Sequence, residues 1–413
     1  MSAAGSWNAW TLPELAPIDL GAISLRTPVI LAPMAGVTDR AFRRLCRQFA
    51  DEGLPQGAED SARLVAAGGL FVNEMVTARA LLEGNEASWH MVEPDEDDPV
   101  RSLQLYGTDP ETLGLATGML VERGLADHID LNFGCPVPKV TRKGGGAAIP
   151  WKKDLFEGIV SSVVSAADRA APGGPGSVPV TVKMRIGIDD DHITVFDAAQ
   201  TARIAGVAAV GLHARTQEQY YSGAARWPFI AMLKEQMEIP VFGNGDIFSG
   251  SDATEMMEQT GCDAVVVGRG CQGRPWLFGE ITASMWGGDI PRDPTLSEIC
   301  EVLNRHAELA VRFDGIEERA MKELRKHVGW YLRGFSIGGE ARRALNLVST
   351  REELRARLAE LDQDQPYPPG ARGSRGRKGK ARRPHLPEGW LESRYLNDDQ
   401  RAGLDDGDGS DGG

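Results

Sequence analysis

Short apolar runs recur along the chain, each closed by glycine, proline or a polar cluster. They are VILAPM (29–34), LFVNEM (70–75), SLQLYG (102–107), HIDLNFGC (128–135), VPVTVKMRIG (178–187), AAVGLHART (208–216), IPVFGNGDI (239–247) and DAVVVGRG (263–270). Between them lie stretches of helical period such as TDRAFRRLCRQF, TVFDAAQTARIAG and GSDATEMMEQTG. Nearly continuous apolar strands alternating with helices predict parallel strands covered on both faces. Eight such units in about 240 residues predict a closed (β/α)8 TIM barrel rather than an open sheet. An open doubly wound sheet would want a glycine-rich turn after its first strand. Here that turn is APMAGVTD, and no G-x-G-x-x-G follows any strand.

After residue 290 the period changes. PTLSEICEVLNRHAELAVRF, GIEERAMKELRKHVGWYLRGF and STREELRARLAEL have helical spacing and no strand signal. In the middle one Met321, Leu324, Val328 and Leu332 form an apolar stripe, with Arg319, Lys322, Arg325, Lys326 and Arg333 off it. The expected organisation is an N-terminal extension (1–17), the barrel (18–290), a small all-α domain (291–361) and a disordered tail (362–413), basic and then acidic. The stretch 50–68 reads as a surface insertion with a helical end, and PGGPGSVP (172–179) as a flexible loop on the face opposite the active site.

Charge modifies this picture locally. The 413 residues carry a net charge of −14, which argues against a nucleic-acid partner until its distribution is examined. Residues 319–343 hold seven Lys/Arg against two Glu, and RGSRGRKGKARR (372–383) holds seven with no acid. Local basic faces decide phosphate-backbone binding, although solvated helix faces and an idle tail would look the same. The five cysteines are scattered without C-x-x-C spacing, the pattern of reduced thiols rather than a disulfide framework or a zinc site. No signal peptide and no apolar run of membrane-spanning length is present, so the expectation is a cytoplasmic protein with no membrane association.

In barrels of this kind chemistry collects at the C-terminal ends of the strands. GNGDI after the seventh run and GRG after the eighth offer backbone N–H groups for one phosphomonoester, using Asn244, Gly245, Asp246, Gly268 and Arg269. Pro33, Met34 and Ala35 after the first run suit a ring face and edge. Gln104 can both donate and accept towards a pyrimidine edge. Lys183 and His213 bring positive charge where a reduced ring carries negative charge. Together these read as a site for flavin mononucleotide (FMN).

Cys135, between Gly134 and Pro136, has several readings. Free cysteines are often packing residues. As a metal ligand it lacks partners at suitable spacing, and as a nucleophile it lacks an adjacent base in its own loop. An ordinary thiol, protonated at neutral pH, fits a general acid opposite a hydride donor best.

LAPMAGVTDRAFRRL, DLNFGCPVPKVTRKGGGAAI, VTVKMRIG, GLHART, YSGAARW, IPVFGNGDI and VVVGRGCQGRPWLF resemble the tRNA-dihydrouridine synthases, closest to the bacterial branch with its KHVGWYLRGF element. The resemblance spans roughly residues 18–360. It implies an FMN-dependent reduction of the C5=C6 bond of particular uridines in tRNA. NADPH (or NADH) would reduce the flavin, hydride would pass from flavin N5 to C6, and the motif cysteine, here Cys135, would protonate C5. Asn132 would help hold the uracil, and Arg185 and Arg215 would contact uracil or phosphate, or form ion pairs behind the site. Lys139, Arg142 and Lys143 beside the site and the basic face of the helical domain would grip the tRNA backbone. No metal and no protein partner is called for. Two rivals remain at this point: an FMN barrel acting on a free dihydropyrimidine or dihydroorotate, and a catalytically silent RNA-binding barrel.

Overall fold

The computed structural model describes residues 15–58, 62–373, 375 and 379–405. Its centre is a parallel sheet formed by all eight apolar runs. We number them β1 (Val29–Leu31), β2 (Leu70–Phe71 and Met75–Thr77), β3 (Ser102–Tyr106), β4 (His128–Phe133), β5 (Val180–Arg185), β6 (Ala209–His213), β7 (Val241–Asn244) and β8 (Ala264–Val267). Neighbours in sequence are neighbours in space, and β8 returns to β1 in the register Val265 to Val29.

The second strand is split, and its two halves serve different partners. Leu70 pairs with Ile30 of β1, whereas Met75 pairs with Gln104 of β3. Asn73 spans the break. Its backbone N–H donates to Ser102 O at 3.1 Å, and its side-chain Oδ1 accepts from the Gln104 N–H at 2.7 Å. One side chain therefore stands in for a missing rung and closes the barrel.

Helices return the chain along the outside, and their starts are legible as caps. Asp39, Asp109 and Ser249 each accept a backbone N–H three residues on, which satisfies a donor the first turn leaves open. Below the barrel, Ile18–Leu20 and Ile23–Leu25 form a hairpin that takes Val65–Ala66 as a third strand. That strand replaces the helical end expected for 50–68. The β-branched Val65 and small Ala66 follow the chain back to the hairpin, and the helix Arg40–Glu52 stops before them. Residues 1–14, most of the expected extension, and 59–61 of the insertion lie outside the described residues.

Beyond the barrel, helices Leu296–Asp314, Glu317–Tyr331, Gly339–Leu345 and Arg351–Ala359 enclose a second core. Met321, Leu324, Val328 and Leu332, the stripe read from the sequence, all lie in it. Tyr367 and Ala371 belong to the same core, so this domain does not stop at 361.

The tail is the largest departure. The described part of 362–413 is packed: Trp390 is 2% exposed and donates from Nε1 to Ala148 O at 3.1 Å. Buried Lys152 donates from Nζ to the carbonyls of Ser393 (2.9 Å) and Tyr395 (3.0 Å). Composition misleads here because a few well-placed residues in a polar stretch, Trp390 foremost, suffice to dock it. Ser374, residues 376–378 of the basic run and 406–413 of the acidic end lie outside the described residues.

Candidate active site at the strand ends

The eight strands deliver a cluster of cations to one mouth. Pro33, Met34, Lys183, His213, Asn244, Gly245, Asp246, Gly268 and Arg269, all singled out from the sequence, line a single cleft there. Ala35 sits on the same loop just outside it. Among the wall residues that sequence reasoning missed are Tyr221 and Phe248. The YY pair in EQYYSG was the available signal for the first.

Each polar side chain in the cleft is held. Lys183 donates to Asn244 Oδ1 at 3.0 Å, and Asn244 donates to Val266 O at 2.6 Å. Burial, with Arg185 beside it, brings the Lys183 ammonium down to about 8, against partial support from Asp130. His213 is pushed well below its ordinary range by burial and by Arg185, Lys183, Arg215 and Arg269, so its imidazole is neutral. Arg215, 1% exposed, makes a two-pronged pair with Asp246 at 2.9 and 2.7 Å. It also donates to Ser222 O and Gly223 O and approaches His213 Nε2 at 3.5 Å. Arg185 is spent on the carbonyls of Gly134, Thr216 and Tyr220. Both arginines therefore anchor loops, Arg215 through an ion pair with Asp246 and Arg185 through carbonyls. Asp246 likewise braces its loop, through Arg215 and the Ala225 N–H, and its φ of +59° turns the chain where only Gly, Asn or Asp sit comfortably. Gly245 has φ +138° and a Cβ there would stand 2.6 Å from Ala225, so glycine is required.

Deeper in the barrel a polar ladder runs from Ser102 through His128 and Thr181 to Asp130. Asp130 then accepts from Gln104 Nε2 at 2.6 Å, and Gln104 Oε1 accepts from Asn132 at 2.9 Å. Burial raises the Asp130 carboxyl to about 6 despite these donors. Nothing in the apolar pattern announced this ladder, because strand alternation hides which polar residues point inward. Gln104 keeps one amide hydrogen and one lone pair after these bonds.

Asn132 Oδ1 accepts the backbone N–H groups of Gly134 (3.0 Å) and Cys135 (2.9 Å). Asn132 thus shapes the cysteine loop from inside. On the outside, Cys135 O accepts from the Ala147 N–H at 3.1 Å. Gly146, at φ +55°, lies so close that a Cβ would approach Cys135 O to 2.6 Å. The glycine-rich loop is smooth because it packs on the cysteine loop. Burial raises the Cys135 thiol above its ordinary range, with Val137 N–H and Arg185 only partly offsetting it. It is a protonated thiol at neutral pH. Lys139 is exposed on the short helix that follows.

The donor set carries Lys183, Arg185, Arg215 and Arg269 against Asp246 and the deeper Asp130. This surplus of positive charge, with glycine backbones at the β7 and β8 ends, fits an anionic phosphate joined to an electron-rich ring. A parallel α/β barrel with a cationic cleft at its strand ends and a protonated thiol on the loop after β4, near Arg185, suits an enzyme of redox or group-transfer type.

The comparisons narrow that class. The family model described as Dihydrouridine synthase (Dus) matches residues 30–365, and the chain belongs to that family. It is 51% identical over 373 residues to a probable tRNA-dihydrouridine synthase of Mycobacterium tuberculosis, covering 90% of this chain and 92% of that protein. The probable tRNA-dihydrouridine synthase of Mycobacterium leprae is equally similar, 51% over 373 residues, with 88% and 95% covered. The tRNA-dihydrouridine synthase B of Pseudomonas aeruginosa is 40% identical over 316 residues, covering 76% and 86%.

Proposed function

We propose that this chain is an FMN- and NADPH-dependent tRNA-dihydrouridine synthase, with Cys135 as the acid. The observation that carries the reading is the thiol, kept protonated by burial, fixed from two sides through its backbone and lying near Arg185 at the strand ends. Asn244, Gly245, Gly268 and Arg269 would hold the phosphate. Pro33, Met34 and Ala35 would border the ring, Gln104 would reach its edge with the amide hydrogen it has left, and Lys183 and His213 would face its electron-rich side. Bound and reduced, the flavin supplies hydride for C6 of a uracil. Cys135 Sγ holds the proton that goes to C5, and solvent restores it to the thiolate. Arg185 keeps the loop at Gly134 while this happens, and Asn132 keeps the Cys135 backbone aimed.

A base in folded tRNA must leave its stack to reach this depth. Lys139, Arg142 and Lys143 flank the cysteine loop and are positioned to meet phosphates. The helical domain offers less than its composition suggests, since Arg319, Lys322 and Lys326 pair with Asp314, Glu318 and Glu323.

The test is mass spectrometry of nucleosides from tRNA incubated with protein, FMN and NADPH, comparing wild type with Cys135→Ala. The expected result is a gain of two hydrogens on uridine that falls at least ~100-fold in the variant. An equal gain in both would remove Cys135 from its role. No gain with flavin bound and NADPH oxidised would move the function to a free pyrimidine.

A further inference from the structure

The segment after the helical domain follows the rim of the active-site mouth. Arg375, 1% exposed, donates to Gln272 O at 3.3 Å, beyond β8, and also to Trp330 O in the helical domain. The Arg382 N–H donates to Glu218 O at 2.9 Å, in the loop after β6. Trp390 then sits against the glycine-rich loop after β4, where a Cβ on Gly144 would come within 2.7 Å of its ring. The chain therefore passes three strand ends in rim order, β8, β6 and β4. It arrives beside the loop whose Ala147 N–H holds Cys135.

Between its anchors the strap carries Lys380, Arg382 and Arg383, all exposed. Among the described residues no carboxylate pairs with any of the three. Some surface arginines elsewhere are paired, Arg292 with Glu298, Arg305 with Glu308 and Arg357 with Glu360. The Arg382 guanidinium lies over the Tyr220 ring, 5.3 Å from its centroid, and Tyr220 O is one of the carbonyls that Arg185 holds. Three cations with no carboxylate partner among the described residues thus stand on a docked backbone beside the mouth of a protein of net charge −14, which leaves them open to an anionic partner.

We infer that residues 379–404 are a guide for the RNA backbone. The strap grips the phosphates flanking the target nucleotide through Lys380, Arg382 and Arg383, and Trp390 and Lys152 hold the guide in place. This rests on the tRNA reading above. A single-stranded stretch beside a flipped base presents phosphates at close spacing, which flexible cations on a docked backbone can follow.

The test is steady-state reduction of unmodified tRNA by full-length, flavin-loaded protein over a salt series. The triple variant Lys380→Ser/Arg382→Ser/Arg383→Ser should raise KM for tRNA at least tenfold with kcat within twofold. The slope of log kcat/KM against log salt should shrink by about two for three lost single-strand contacts. The double variant Lys380→Ser/Arg383→Ser leaves the Tyr220 contact intact and should give roughly two-thirds of that slope change. An unchanged KM and slope would overturn the inference. So would a fall in kcat at constant KM, which would make the strap a brace for the cysteine loop. If wild type leaves tRNA uridines unreduced, the tRNA reading itself fails and takes the guide with it.

Discussion

Two of the buried polar clusters, one at the barrel mouth and one where the helical domain meets the barrel, are built on opposite principles. At the mouth, Lys183, Arg185, Arg215, Asn244 and Asp246 are each tied by hydrogen bonds at ordinary lengths. At the junction, His306 and His327 are buried with three of their four ring nitrogens unbonded. Only His306 Nδ1 has a partner, Tyr331 OH at 3.2 Å. The two imidazoles pack tilted against Phe42 and edge-to-face against each other at centroid distances of 5.4–5.7 and 4.7 Å, so they behave as aromatic filler. Burial takes His306 down to about 4 and, with His306 and Lys326 beside it, pushes His327 well below its ordinary range. Asp39 brings a carboxylate near them, so the three could meet a metal ion, although Arg43 and Lys326 line the same cavity and oppose one. The lesson is that burial of ionisable groups marks chemistry only where their hydrogen bonds are satisfied and their charges fail to cancel.

That contrast can be broken by exchange. His327→Ala should cost about 3 kcal/mol of unfolding free energy through the cavity it leaves, with kcat for the surviving folded protein unchanged. His327→Phe should recover most of that loss, because volume rather than chemistry is at stake. Denaturant unfolding with parallel kinetics measures both. A kcat that collapses in His327→Phe would turn the junction into part of the active site.

Lys183→Met should act in reverse. We expect flavin affinity to fall on the order of tenfold to a hundredfold, the worth of a charge-assisted hydrogen bond. The flavin-free protein should become more stable at pH 7. The sign follows from linkage: the folded value of about 8 lies below the ordinary 10.5, so the unfolded chain binds more protons between them and stability rises with pH across that window. Fluorescence titration and thermal melts at pH 7 and 10 report the two effects. A variant destabilised at pH 7 would show that Lys183 is structural.

Glu74, at the junction, should give the smallest change and the opposite pH slope. Burial and Asp39 raise it to about 7 from 4.5, so the folded protein binds more protons in that interval and loses stability as pH rises through it. Glu74→Gln should flatten melting curves between pH 5 and 8 by roughly 1–2 kcal/mol. An unaltered slope would place the titration elsewhere.

The barrel was legible because parallel strands buried on both faces are continuous apolar words with glycine at their ends. Nine of the eleven proposed cofactor contacts share one cleft for the same reason: they are strand-end residues, and the topology gathers strand ends. What escaped reading was everything set by long-range packing. Tyr221 reaches the cleft from a loop, 4.5 Å below the Arg269 guanidinium. The basic helical face was visible as composition, but its acids one turn away neutralise much of it. Trp390 finds its pocket some 240 residues back along the chain, a distance no local pattern spans.

The split β2 strand has a consequence for how the molecule forms. Val29 cannot meet Val265 until almost the whole barrel has been laid down, and the two halves of β2 join the sheet at different neighbours. Closing so large a loop costs little extra entropy, since that cost grows only with the logarithm of its length, but distant pairings are slow to find. Until β8 docks, β1 is a bare strand edge open to the wrong neighbour. Asn73, by completing the ladder between β2 and β3, ties those two strands through contacts only about thirty residues apart, so the longest-range pairing the barrel needs is that of β8 with β1.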